Sequence, residues 1–185
     1  MIPFKVEAAT QELQIASFKS EFRTTRPYYD YIQAANYCIE HNIELEQALA
    51  WMDRAIYFRI MGEKNFRTLS TKAAVLTKMN RMGEAKKVMD EALPIGSVLE
   101  VHFYGRNLLS QKQPQEALKV FKLNYEKNPN VFTTNMGMGR AYSALTEYKK
   151  AITYLKAALP QAPNDFNKST VEGMIKKLEE GKDIN

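Results

Sequence analysis

A gapless internal repeat constrains this 185-residue chain more than any other feature it carries. Gly105-Arg106-Asn107-Leu108 lies over Gly139-Arg140-Ala141-Tyr142 at an offset of 34 residues, and the same offset carries Ala117 to Ala151, Phe121 to Leu155 and Pro129 to Pro163. Two looser copies precede these. Ala73, Leu76, Ala85, Met89 and Ala92 form one, set 32 residues before the Gly105 unit, and Asn36, Ile39, Ala48, Met52 and Ala55 form another, 37 residues earlier again. The physical content of such a pattern is close packing. Two antiparallel helices approach closely only where small side chains face each other, and larger residues such as Phe121 and Leu155 then fill the groove of the next pair. A lone hairpin cannot bury its apolar face, so each pair needs a neighbour.

The spacing predicts an all-α chain with helices at about 27–41 and 44–60, 65–79 and 82–93, 98–111 and 114–127, and 131–145 and 147–159. Asn80, Pro114 and Thr146 mark turns within hairpins, and Pro129 and Pro163 mark turns between them. A last helix over about 165–180 has a polar run, Lys176, Lys177, Glu179 and Glu180, that suits the solvated face of a cap, and Ser169 with Glu172 has capping-box spacing. Upstream, Pro3 to Glu7 alternate as in a short strand or tail, while Ile15, Phe18 and Phe22 fall on one stripe of a helix over 11–23.

The last copy resembles the tetratricopeptide repeat, whose period is about 34 residues. Gly139, Tyr142, Ala151, Leu155, Ala158 and Pro163 fill that family's places in order, with Tyr148 just before the second helix. The resemblance implies a right-handed α-solenoid of about four hairpins with a C-terminal capping helix. The expected domains are an N-terminal extension at 1–26, repeats over 27–164 (about 27–61, 65–97, 98–131 and 132–164), and a capping helix and tail at 165–185. A second, looser resemblance covers residues 1–95. Tyr28-Tyr29-Asp30-Tyr31 through Ala34-Ala35-Asn36-Tyr37, then Ala48 to Ile56, is similar to an uncharacterised bacterial exported family with an N-terminal β-rich domain. That likeness implies that residues 1–26 end a missing domain and that the parent sits in the cell envelope or periplasm. Taken alone the chain leaves localisation unknown.

Composition narrows the function classes. Lys and Arg number 26 against 21 Asp and Glu, a formal net charge of +5, and the signs are interspersed with no long basic run, so no nucleic-acid partner is expected. No apolar stretch reaches the ~20 residues of a membrane span. The start of the chain lacks the basic-then-apolar pattern of a signal peptide, so an exported parent needs a leader from elsewhere. The single cysteine, Cys38, makes no internal disulfide and reads as a small buried hydrophobe rather than a nucleophile. His41 and His102 are the two histidines, and with Cys38 they form no ligand spacing, so no metal or other cofactor is expected. Gly137-Met138-Gly139 lies inside a helix with no strand before it, which excludes a phosphate loop. The carboxylate pairs Asp90-Glu91 and Glu179-Glu180 point about 100° apart on their helices and cannot converge on a substrate. No catalytic constellation emerges, and the chain reads as a non-enzyme.

The resemblance implies that the first helix of each hairpin lines a concave groove for a peptide or partner protein. By register, the groove candidates are Gln33 and Tyr37, then Ser70, Thr77 and Lys78, then His102, Arg106 and Leu109, then Met136, Arg140 and Ser143. Arg106 and Arg140 hold the same place one repeat apart, and guanidinium forks suit carboxylates. The expected ligand is therefore an acidic segment or a free C-terminal carboxylate; the plainer alternative, arginines that solvate the face or pair with nearby acids, stays open at this stage. Tyr37, Ala74, Arg106 and Arg140 stand where chaperone-tail clamps carry an inward asparagine, so that clamp is not reproduced. The rival reading is an auxiliary or oligomerisation module, packing on a missing domain or a second copy through aromatics near Tyr28, Tyr29 and Tyr31.

Overall fold

The computed structural model describes residues 6–22 and 27–185. Among them the chain is all-α, with no strand: α1 (Val6–Glu21), α2 (Tyr28–His41), α3 (Leu45–Tyr57), α4 (Phe66–Lys78), α5 (Met82–Ala92), α6 (Val98–Ser110), α7 (Pro114–Lys127), α8 (Phe132–Ala144), α9 (Tyr148–Ala158) and α10 (Asp165–Glu179). Helices α2 to α9 form four hairpins close to the expected spans, and α10 follows as the expected terminal helix. The chain divides into two compact units, one ending at Ile95 and the other beginning at Gly96.

The same turn closes every hairpin. Asn42, Asn80, Lys112 and Thr146 all adopt positive φ, near +60°. The residue after each returns a backbone bond five positions back: Ile43 to Cys38 at 3.1 Å, Arg81 to Leu76 at 2.8 Å, Gln113 to Leu108 at 2.9 Å and Glu147 to Tyr142 at 2.9 Å. These bonds satisfy carbonyls that the helix end would leave orphaned. They also fix the register of the first hairpin. Cys38, not Ile39, falls in line with Leu76, Leu108 and Tyr142, and Ala35 takes the small-residue place given to Asn36 by sequence offset. Burial agrees, since Ala35 is fully buried and Asn36 exposed. One extra turn residue, Glu44, itself at positive φ, accounts for the slip.

In the first unit, Ile15 and Phe22, at opposite ends of the α1 stripe, join Tyr31, Ala34, Ala35, Cys38, Ala48, Trp51, Met52 and Ala55 in one buried cluster. Phe18 and Phe22 meet the Trp51 ring edge-on at 6.0 and 5.2 Å, and Phe22 lies 4.6 Å from the Tyr31 ring. These aromatic contacts add specificity to a large apolar burial. Hairpin α4–α5 packs on α2 and α3 and buries Leu69, Leu76 and Met89.

In the second unit, α8 packs on both α6 and α7, and α10 packs on α9. Phe121 on α7 is wholly buried between two glycines. A Cβ on Gly105 would stand 2.6 Å from the ring, and one on Gly137 would stand 2.8 Å from its Cε1. Gly139 admits Leu155 in the same way, at 2.7 Å. These glycines serve close approach, because no side chain fits between the helix backbone and the large residue opposite.

Three expectations need correction. Of the strand-like stretch at 3–7, residues 3–5 lie outside the described residues, while Val6 and Glu7 are the first residues of α1. Helix α10 is capped by Asn164, whose side chain accepts from the Asn167 N–H at 2.9 Å, so Ser169 lies in the helix interior rather than at a cap. Tyr31, offered as part of an exposed aromatic patch, is 2% exposed, with the Arg54 guanidinium over its ring; of the trio only Tyr29 is largely exposed.

Candidate functional site: the first-helix faces of the hairpins

The face of α2 and α4 is nearly neutral. Gln33 is exposed, and Tyr37 is half-buried with its ring against Phe18 at 5.9 Å and His41 at 4.3 Å. By the turn register, Asn36 rather than Tyr37 stands in line with Arg106 and Arg140. Ser70 and Thr77 spend their hydroxyls on their own helix, donating to the Arg67 carbonyl at 3.1 Å and the Ala73 carbonyl at 2.8 Å. Lys78 is exposed in the last turn of α4, where a cation complements the helix dipole.

The face of α6 and α8 differs. His102 is 9% exposed, its ring 5.6 Å from that of Phe121, with a backbone hydrogen bond to Thr133. Burial first, then the nearby Arg106 and Arg140 cations, push its pKa down to about 4. His102 is therefore neutral near pH 7 and adds no charge to this face. Arg106 is exposed, with no hydrogen bond or ion pair among the described residues. Arg140 is half-buried; burial and the neighbouring Arg106 draw its pKa below the ordinary value, and Asp183 opposes them. Two guanidiniums thus stand near each other, with one acid, Asp183, acting on Arg140. Met136 is buried and Leu109 half-buried, so of these two Leu109 alone offers surface.

Ser143 is fully buried because the chain's own tail covers it. Gly181, at φ +75°, turns the backbone after α10, and residues 182–185 return to α8. The Ser143 hydroxyl donates to the Asp183 carboxylate and accepts the Ile184 N–H at 3.1 Å. Arg140 Nη1 donates to the Ile184 carbonyl at 3.3 Å, and the Asn185 side-chain amide donates to the Arg140 carbonyl at 3.0 Å. Burial works against the charged form of Asp183, but hydrogen bonds from Ser143, from the Asn185 side chain and from the Ile184 and Asn185 backbone outweigh it and leave the carboxyl below its ordinary value.

Two residues that the repeat register passed over also belong to this face. Leu99 and Phe103 are 56% and 61% exposed, and with Arg106 and Ser110 they form one stripe along α6 at helical spacing. Their spacing of four, three and four residues is present in the sequence, but the repeat register gives no signal there that Leu99 and Phe103 are exposed. Elsewhere, Cys38 is wholly buried, and burial, helped by Glu44, raises its thiol to about 11, so it stays protonated and inert. Among the described residues no cluster of His, Cys, Asp or Glu could hold a metal ion, and no helix is long and apolar enough to cross a membrane.

No curated protein and no solved structure matches the chain. Residues 108–168, from the last three residues of α6 to the start of α10, match the family model of the tetratricopeptide repeat, a protein-interaction module that is typically a non-catalytic scaffold. Within this helical-repeat chain the match takes in the whole of α7, α8 and α9.

Proposed function

We propose that this chain is a binding scaffold whose α6–α8 face takes an acidic, extended segment of another protein. The observation that carries the reading is Arg106, an exposed guanidinium left unpaired among the described residues, near Arg140 and on one stripe with exposed Leu99 and Phe103. A guanidinium fork recognises a carboxylate bidentately, and flanking apolar surface supplies the burial that a bare ion pair lacks. The faces of α2 and α4 carry Lys78 but no arginine pair, so the reading is placed on the second unit.

Fluorescence anisotropy with a labelled peptide that mixes Asp or Glu with Leu or Ile tests this. Arg106→Glu should weaken binding at least about tenfold, and added salt should weaken the parent complex. Affinity indifferent to both changes would refute the reading.

A further inference from the structure

The tail contact deepens that reading and rests on it. Residues 182–185 meet α8 through two main-chain and two side-chain groups: the Ile184 N–H goes to Ser143, the Ile184 carbonyl takes Arg140, the one side-chain anion, Asp183, meets the Ser143 hydroxyl, and the Asn185 amide donates to the Arg140 carbonyl. This is how an extended peptide docks, with sequence-independent backbone bonds and a single acidic anchor. It uses Arg140 and Ser143, which hold the groove places that the repeat register assigns on α8, and among the described residues it leaves Arg106 without a partner.

We propose that residues 183–185 are a built-in occupant of the α6–α8 face, and that the external partner is an extended acidic peptide that presents a carboxylate to Ser143 and a main-chain carbonyl to Arg140, displacing the tail. Covalent attachment through the short turn at Gly181 gives the tail an effective concentration on the order of millimolar, so weak contacts suffice to hold it. An incoming peptide with a second carboxylate gains Arg106, a contact the tail forgoes, and this difference decides the competition. The tail therefore sets a threshold, excluding weak ligands and yielding to those that engage both arginines.

The test uses the full chain, nitrogen-labelled for NMR, with an acetylated and amidated peptide of the sequence of residues 182–185 extended by one glutamate, the second carboxylate that Arg106 would take. In the parent chain the Ile184 amide should be protected from exchange and should move to its coil position as peptide is added. In Asp183→Ala it should be coil-like from the start, and the peptide should bind about tenfold more tightly. Arg140→Ala should weaken the peptide in both backgrounds. Equal affinity in parent and Asp183→Ala, a coil-like Ile184 amide in the parent, or no binding to either chain at millimolar peptide would each overturn the proposal. Those results leave the scaffold reading standing if Arg106→Glu still weakens the mixed acidic peptide. A docked tail with acidic-peptide binding indifferent to Arg106→Glu sinks the scaffold reading instead, so the two failures are told apart.

Discussion

Met52 in the first unit and Phe121 in the second hold the same place in their hairpins, yet they are accommodated by different means. Phe121 is a rigid ring admitted because Gly105 and Gly137 both lack a Cβ. Met52 lies in a cluster with Ala34, Ala35, Ala48 and Ala55, where a flexible side chain adapts to gaps that small methyls leave. The first unit places its aromatic volume at the other end, where α1 brings Phe18 and Phe22 against Trp51 and Tyr31. A repeat register thus fixes where a large residue goes, while the pair of residues opposite decides whether that residue is rigid or compliant. The first-helix faces diverge as well: α2 and α4 present neutral polar groups and one exposed lysine, Lys78, whereas α6 and α8 present two arginines, one held by the tail and one free among the described residues.

The largest expected effect attacks the glycine-walled ring. Phe121→Ala should cost about 3–5 kcal/mol in urea unfolding, because a rigid pocket collapses poorly around a void. If Met52→Ala costs as much or more, the contrast between rigid and compliant crossings fails.

Next in size is an acid response confined to the second unit. His102 titrates near 4 in the fold against an ordinary 6.5, so between those values the unfolded chain binds its proton more readily than the folded one. Its contribution to stability is complete above about pH 6.5 and is lost as the pH falls toward 4, by at most about 3 kcal/mol. His102→Leu should flatten that limb of the stability curve, and an unchanged slope would show that the buried imidazole is not its source.

Glycine substitutions sharpen the comparison further because their signs should oppose. Gly137→Ala sets a methyl against the immobile Phe121 ring and should cost about 1–3 kcal/mol. Gly173, inside α10, has nothing within 4 Å of its missing Cβ, and Gly173→Ala should stabilise by up to about 1 kcal/mol through helix propensity alone. Thermal unfolding of both variants reads the two signs, and a neutral Gly137→Ala would mean that Phe121 shifts freely.

Much of the fold was legible in the residues. The small–large–small register of Gly139, Ala151, Leu155 and Ala158 marks α8 and α9, and all four of these residues are buried. The first hairpin was read one residue out of step in α2, because an extra positive-φ residue, Glu44, lengthens its turn and no pattern of apolar spacing reports a turn's backbone conformation. A further repeat signal went unread: Leu93-Pro94 and Leu159-Pro160 each open a short 3₁₀ turn after the second helix of a hairpin. Of the candidate face, Arg106 and Arg140 follow from the register. The burial of His102 and the cover over Ser143 do not, since both depend on segments distant in sequence.

The sequence by itself determined that paired helices recur and where their close crossings lie, because those crossings need small side chains at fixed helical intervals and leave a periodic trace. Tertiary structure alone decided which of the crossing-face residues remain charged and accessible. Residues 182–185 contribute no periodicity, yet by folding back on α8 they cover Ser143 and engage Arg140, while Arg106 stays exposed. Accessibility and charge state are set by whatever else arrives at the same place in space, and helical spacing holds no record of that.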